Sequence, residues 1–159
     1  MKVLIVHHLQ PMWDAGLHRF GTSFEEMKER LLIHLDENTY DKVIFPMFEH
    51  YERMDYHEGI WGINATFVNY DYGWCPEDYE EAEENEDGYE LFEDQYIPVS
   101  GSSYCERWAL VNSEVREWMP KPEDDVSICG AFDGECLADL ESVLDYCNIP
   151  YTRLNELIR

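Results

Sequence analysis

The clearest candidate for chemistry is a thiol near the C-terminus, in the run Gly130-Ala-Phe-Asp-Gly-Glu-Cys136. An apolar stretch precedes this run and helical spacing follows it, so Cys136 is predicted to lie in the first turn of a helix. A helix N-terminus stabilises the thiolate, which is the nucleophilic form of cysteine. The same position also suits a small, half-buried cysteine that performs no chemistry. The residues leave both interpretations open.

Polar side chains follow two other predicted strands. His8 and Gln10 come after the first strand, and His50 comes after the second. Because the carboxyl ends of parallel strands meet at one edge of a sheet, we expect these residues to lie near Cys136. The predicted catalytic pair is Cys136 as nucleophile and His8 as base. The residues predicted to bind a substrate are Gln10, His50, Gly130, Asp133, Gly134 and Glu135.

Two acids flank the thiol and complicate this interpretation. Asp133 and Glu135 are negatively charged, and a nearby negative charge raises the pKa of a thiol. Asp133 is also a candidate N-cap of the following helix. A metal site built from His8, His50, Asp133 and Glu135 is chemically conceivable, but no ligand-spacing motif supports it. The sequence therefore predicts no metal and no cofactor.

The elements that would position these residues alternate between strand and helix. Residues 2–6 form a β-branched run typical of a buried parallel strand. Ser23 and Glu26 have capping-box spacing at the start of an amphipathic helix that Asn38 closes, and residues 42–45 begin a second strand. A second amphipathic helix is predicted from Tyr104 to Trp118, after a short strand at 95–99. The predicted fold is a three-layer, Rossmann-like α/β domain, with a mainly parallel sheet and helices on both faces.

The charge of the chain is −24, and the middle third carries most of the excess. Residues 54–106 contain fifteen acids and no Lys or Arg. We interpret residues 49–94 as an acidic, aromatic-rich excursion from a single domain over 1–159, with an edge strand at 63–70. Such a field repels phosphate backbones, so direct nucleic-acid binding is not expected. The excursion is either a solvated segment or a surface that binds a basic protein.

The run from Gly130 to Cys136 resembles the corresponding turn of the isochorismatase-like cysteine hydrolases, the superfamily that includes nicotinamidases. The opening Leu4-Ile-Val-His-His8-Leu-Gln10 is similar to that family's first strand, which ends in Asp-x-Gln. The order of elements from Gln95 to Leu154 is similar as well. The resemblance covers about half of the chain and implies a parallel α/β scaffold with a pocket at the Cys136 turn.

In that family an Asp after the first strand, a Lys after a middle strand and the turn Cys form the catalytic set, and the Cys attacks an amide or similar carbon. Only Cys136 matches this set, because His8 stands at the Asp position and residues 95–103 contain no Lys or Arg. The resemblance therefore implies a divergent small-molecule hydrolase or a pseudo-enzyme. The alternative function is an acidic interaction protein that binds a basic partner, for example by mimicking the charge of a nucleic acid.

Five cysteines without C-x-x-C spacing are typical of reduced thiols rather than of a disulfide framework. The first apolar run is short and meets His7 and His8, so the sequence predicts neither a signal peptide nor a membrane span. A cytoplasmic location is expected. The expected partners are a small-molecule ligand or a basic protein.

Overall fold

In the computed structural model the chain forms a five-stranded, all-parallel sheet in an α/β arrangement. The structure describes residues 1–47, 54–69, 89–92, 95–98 and 119–159. Strands β1 (Lys2–His7), β2 (Lys42–Met47), β3 (Thr66–Asn69), β6 (Asp125–Gly130) and β7 (Tyr151–Ile158) lie in the order β3-β2-β1-β6-β7. The Rossmann-like α/β class predicted from the sequence is therefore confirmed. That helices cover both faces stays a prediction.

The β1–β6 pair forms the centre of the sheet. Val3, Leu4, Ile5 and Val6 have no solvent exposure, as expected for a strand covered on both sides. The two strands run in register from Lys2 opposite Asp125 to His7 opposite Gly130. This central pair fixes where the loops that follow each strand begin.

Two helices connect β1 to β2, after a single 3-10 turn at Pro11–Trp13. Helix α1 (Asp14–His18) is short, and α2 (Phe24–Glu37) is the amphipathic helix that the sequence predicts. The Ser23 hydroxyl accepts a hydrogen bond from the Glu26 amide at 3.2 Å, which confirms the N-cap. Asn38 closes α2 by donating its side-chain amide to the His34 carbonyl at 2.9 Å.

Strand β2 accommodates a proline because its two ladders have different lengths. The β1–β2 ladder ends at Ile44, whereas Pro46 pairs with Val68 on the β3 side. Pro46 thus lies beyond the part of β2 that needs donors on both sides. The prediction of an edge strand at 63–70 is also confirmed, since β3 forms one end of the sheet.

Within the predicted excursion at 49–94, residues 54–69 contribute a helix and an edge strand to the main sheet and its core. Helix α3 (Met54–Trp61) has no counterpart in the sequence prediction. Its last residue, Trp61, is only 3% exposed, and its ring lies 4.8 Å from that of Phe45 and 5.8 Å from that of Phe24. Acidic residues around this helix obscure its pattern in the sequence, and Trp61 packs its C-terminal end against the core.

A separate antiparallel hairpin pairs β4 (Tyr89–Phe92) with β5 (Gln95–Pro98). The strand predicted near 95–99 therefore exists, but it belongs to this two-stranded sheet rather than to the parallel one. The acidic run at 77–87 and the helix predicted from Tyr104 to Trp118 lie outside the described residues.

The C-terminal unit has the predicted order of strand, glycine turn, helix and strand. Helix α4 (Cys136–Tyr146) buries Leu137, Leu140 and Leu144 completely. Helical spacing would place Cys147 on the same side as these leucines, but Cys147 is the C-cap of the helix and is exposed. Asn148 then adopts the left-handed conformation at φ +55° and lets the Ile149 amide donate to the Leu144 carbonyl at 2.9 Å, which completes a Schellman motif.

Candidate functional site at the end of strands β1 and β6

The candidate site lies where the connections of the sheet change direction. The chain leaves β1 toward β2 on one side, and it leaves β6 toward β7 on the other. In open parallel sheets such a switch point opens a crevice at the carboxyl ends of the strands. The loop that begins at His8 and the turn from Gly130 to Cys136 both start at this crevice.

Gly130 brings the two strand ends into unusually close contact. Its φ is +114°, and a Cβ atom placed there would lie 1.9 Å from the His7 carbonyl oxygen. That oxygen accepts a hydrogen bond from the Ala131 amide at 2.9 Å. Only glycine fits both the backbone conformation and the close approach. The backbone geometry alone therefore explains why residue 130 is a glycine, whether or not it also binds a ligand as predicted.

A stack of rings fills the edge next to this contact. The His7 and His8 rings are stacked at 4.2 Å, and Trp13 stacks on His8 at 5.2 Å. Phe132 meets Trp13 edge to face at 6.3 Å. His8 is 1% exposed and has a left-handed backbone at φ +52°, a conformation that costs a non-glycine residue about 1–3 kcal/mol. The predicted base is thus positioned, but it is buried beneath other rings.

The loop after β1 covers this ring stack. Gln10 is fully buried and its carbonyl accepts from the Trp13 amide at 3.0 Å. Leu17 is also fully buried, and Gly16 lies so close to Phe132 that a Cβ atom would be 2.5 Å from the Phe132 Cζ atom. The part of the crevice nearest to β1 is therefore packed with side chains of this loop.

The turn beyond Phe132 is open to solvent instead. Asp133, Gly134 and Glu135 are exposed, and Cys136 is half-buried at the first position of α4. Cys136 also packs against the hydrophobic core. Cys136 lies in the first helical turn, as the sequence predicts. The core lies on one side of it, and the exposed residues 133–135 lie on the other.

Three arginines that the sequence analysis did not single out contact this turn. Arg153 binds Asp133 at 2.5 Å and Glu141 at 3.0 Å, and Arg19 lies 4.0 Å from Glu135. The Arg159 main chain brackets the turn, since its amide donates to the Gly130 carbonyl and its carbonyl accepts from the Asp133 amide. Arg153 lies on β7, the strand beside β6. Pairing these two predicted strands in parallel would have placed Arg153 near the turn that follows β6.

These pairs change the role of the two flanking acids. The N-cap position of α4 is Glu135, without a side-chain cap, and Asp133 points to Arg153. The interpretation of Asp133 as the N-cap is therefore wrong. Each acid next to the thiol also has a cation near it, which offsets the negative charge expected from the sequence.

The described cysteines differ in how accessible they are. Cys129, in β6, is fully buried, and this burial raises the pKa of its thiol far above its usual value. Cys147 is exposed at the far end of α4. Cys136 is intermediate in exposure between the two. Comparing the labelling rates of the three thiols can therefore separate the effect of solvent access from that of a lowered thiol pKa.

His50, predicted to bind substrate, lies outside the described residues, and it is also one member of the conceivable metal set. Among the described residues, no group of three or more His, Cys, Asp and Glu side chains could hold a metal ion. None of the helices in the described ranges is both long and apolar enough to span a bilayer.

Comparisons of the chain with protein-family models, with curated proteins and with solved structures find no match.

Proposed function

We propose that the protein binds a small molecule at the Gly130–Cys136 turn and acts on it as a divergent, isochorismatase-like cysteine hydrolase. The observation that carries this proposal is the switch point between β1 and β6, where the half-buried thiol of Cys136 lies at the crevice end of the sheet. The proposed roles are Cys136 as nucleophile and His8 as base. The residues proposed to bind the substrate are Gln10, His50, Gly130, Asp133, Gly134 and Glu135.

The chemistry follows from these roles. The Cys136 thiolate attacks the carbonyl carbon of an amide, and the C–N bond breaks as the amine leaves with a proton. Water then hydrolyses the thioester, giving a carboxylate and restoring the thiol. The buried His8 must become accessible for the proton transfers, because a base has to lie within hydrogen-bond reach of the proton it moves.

Competitive alkylation tests whether Cys136 is activated. The protein is treated with limiting iodoacetamide at neutral pH, and the labelling rate of each cysteine is read by peptide mass spectrometry. Access alone predicts that half-buried Cys136 reacts more slowly than exposed Cys147. Faster labelling of Cys136 supports the proposal, since the thiolate is the reacting form. Equal or slower labelling contradicts it.

Ammonia release from a set of primary amides tests turnover, with Cys136→Ser as the matched control. Release that Cys136→Ser abolishes supports hydrolysis. An activated Cys136 without turnover of any amide in the set supports the pseudo-enzyme form of the proposal, in which the turn binds its ligand but does not complete the reaction.

A second candidate function is binding of a basic protein. The observation in its favour is a groove of about 450 Å³ along α2, lined by apolar Leu32 and Ile33 and by Glu25, Lys28, Glu29, Asp36 and Glu37. Ile33 is 53% exposed. The acids of this groove are a second source of negative charge, separate in sequence from the fifteen acids of residues 54–106. Together they favour a partner that carries basic and apolar side chains.

Salt-dependent retention tests this second function. A basic partner held by the acidic surface should elute steeply as salt rises, because exposed charges are screened over about 10 Å at 0.1 M. A variant with the acids of 77–94 replaced by Asn and Gln should lose that partner. Unchanged retention in this variant would remove the acidic segment from the candidate interface.

A further inference from the structure

Arg19 lies at the solvent-facing side of the turn that contains Cys136. It follows α1, and its side chain is 63% exposed. The guanidinium carbon lies 5.7 Å from the centre of the Phe132 ring and 5.9 Å from that of Phe20. An arginine over aromatic faces keeps its charge and loses little freedom when it binds a ligand.

The three arginines around the turn differ in how fully they are engaged. Arg153 binds two carboxylates at 2.5 and 3.0 Å, and the Arg159 side chain donates to two main-chain carbonyls. Among the ion pairs of the described residues, Arg19 has one, to Glu135 at 4.0 Å, which is the outer limit for such a contact. A guanidinium carries five N–H donors, so Arg19 retains donors for a ligand.

The overall charge makes this arginine stand out. The chain has a net charge of −24, which disfavours the binding of small anions. Arg19 and Arg153 contact the turn beside Cys136 with their side chains, whereas Arg159 contacts it through its main chain. A singly charged carboxylate suits such a place better than a doubly charged phosphate, because repulsion from the surrounding acids grows with the charge of the ligand.

We infer that Arg19 determines specificity at the proposed site by binding a carboxylate group of the small molecule that lies next to Cys136. This inference rests on the proposed function. It names the substrate class as a small carboxylic acid that also carries the amide carbon attacked by the thiolate. Planar, bidentate binding of the carboxylate by the guanidinium would orient the rest of the molecule toward the turn.

Two alkylating reagents of similar size test the inference. In both, the Cys136 sulfur bonds to the CH₂ carbon, the C–I bond breaks and iodide leaves. Iodoacetate carries a carboxylate and iodoacetamide is neutral. The readout is the iodoacetate-to-iodoacetamide rate ratio at Cys136, divided by the same ratio at exposed Cys147. Arg19→Ala should lower this normalised ratio about two- to fivefold, the range expected for an exposed ion pair.

Three further variants sharpen the test. Arg19→Lys keeps the charge and should retain part of the preference for iodoacetate. Glu135→Gln removes the competing carboxylate and should raise the ratio. Arg30→Ala removes an arginine of α2 that, in the part of the chain that the structure describes, forms no ion pair with Asp133 or Glu135, and it should leave the ratio as in the wild type. A ratio that Arg19→Ala does not change, or that Arg30→Ala lowers equally, overturns the inference.

The outcomes for the two proposals can be told apart. If Cys136 is not labelled faster than Cys147 by neutral iodoacetamide, the proposed function fails, and the role of Arg19 fails with it. If that labelling is fast and the ratio is insensitive to Arg19, only the role of Arg19 is rejected.

Discussion

An ion pair holds the β1 and β6 strands together at the amino end of their ladder, whereas close packing holds them together at the carboxyl end. The Met1 ammonium binds Asp124 at 2.7 Å at the amino end. At the carboxyl end, the Gly130 backbone lies against the His7 carbonyl and a stack of rings covers the contact. An ion pair can open with pH, but a close backbone contact cannot. The end with the candidate site is therefore held together by a contact that pH does not open.

The largest expected effect comes from the backbone contact itself. In Gly130→Ala the new Cβ atom would lie 1.9 Å from the His7 carbonyl oxygen, in a backbone conformation at φ +114°. Overpacking and backbone strain together should cost about 3–5 kcal/mol of unfolding free energy. Urea denaturation followed by circular dichroism measures this loss.

Gly134→Ala is the matched control for that experiment. Gly134 also has a positive φ, +73°, but no atom lies within 4 Å of the position that its Cβ would take. The variant should therefore lose only about 1–2 kcal/mol, from backbone strain alone. Equal losses for the two variants would mean that the close contact at Gly130 contributes nothing beyond its backbone conformation.

The next effect tests the loop that covers the ring stack. Gly16→Ala would place a Cβ atom 2.5 Å from the Phe132 ring, and this overpacking should cost about 1–3 kcal/mol. Phe132→Leu frees space, so the double variant should lose less than the sum of the two single variants. A thermodynamic double-mutant cycle measures the coupling. Strict additivity would show that the loop moves away from Phe132 at no cost.

A smaller effect is expected from the exposed charges of the turn. Arg153→Leu leaves Asp133 and Glu141 without their cation, and burial already raises the pKa of the Glu141 carboxyl. The loss in unfolding free energy should be about 1 kcal/mol and should shrink in high salt. Denaturation at two salt concentrations checks both parts. A loss that is independent of salt would indicate packing by the arginine stem instead.

The smallest effect is expected at the amino end, and it depends on pH. The hydrogen bond with Asp124 raises the pKa of the Met1 ammonium above 8.0, and the same bond lowers the pKa of Asp124 below 3.8. The stabilisation from this pair is therefore complete between these values. It is lost as pH rises through the raised pKa of the ammonium, and as pH falls through the lowered pKa of Asp124.

Asp124→Asn tests this pH dependence, since it removes the charge and keeps an oxygen for the Lys121 amide. The difference in stability between wild type and variant should be constant from about pH 5 to pH 7 and should narrow on either side. A difference that does not change with pH would mean that the pair acts through its hydrogen bond alone.

The sequence predicts the parts of the fold that depend on periodicity. The β-branched run at β1, the Ser23 cap of α2 and the unit from Asp125 to Leu154 follow from local patterns, and the structure contains all of them. Helix α3 was missed because it is short and lies among acidic residues, although its last residue, Trp61, packs against Phe45. The hairpin at 89–98 was missed because its pairing depends on contacts that periodicity does not encode.

The candidate site is predictable in its location but not in its surroundings. Parallel topology brings the ends of β1 and β6 together, so His8 and Cys136 could be assigned to one edge from the sequence. Burial of His8 under Trp13 and the approach of Arg19 and Arg153 depend on how loops and neighbouring strands pack. Such long-range contacts leave no local signal.

The two main-chain bonds of Arg159 have a consequence for hydrogen exchange at the turn. Asp133 is exposed, yet its amide donates to the Arg159 carbonyl at 2.8 Å, and the Arg159 amide donates to the Gly130 carbonyl at 3.1 Å. Both protons therefore exchange only when the segment after β7 separates from the turn, whereas the Glu135 amide, bonded locally to the Phe132 carbonyl, exchanges whenever the turn itself opens. Exchange at the Asp133 amide thus reports separation of Arg159 from the turn, whereas exchange at the Glu135 amide reports opening of the turn itself.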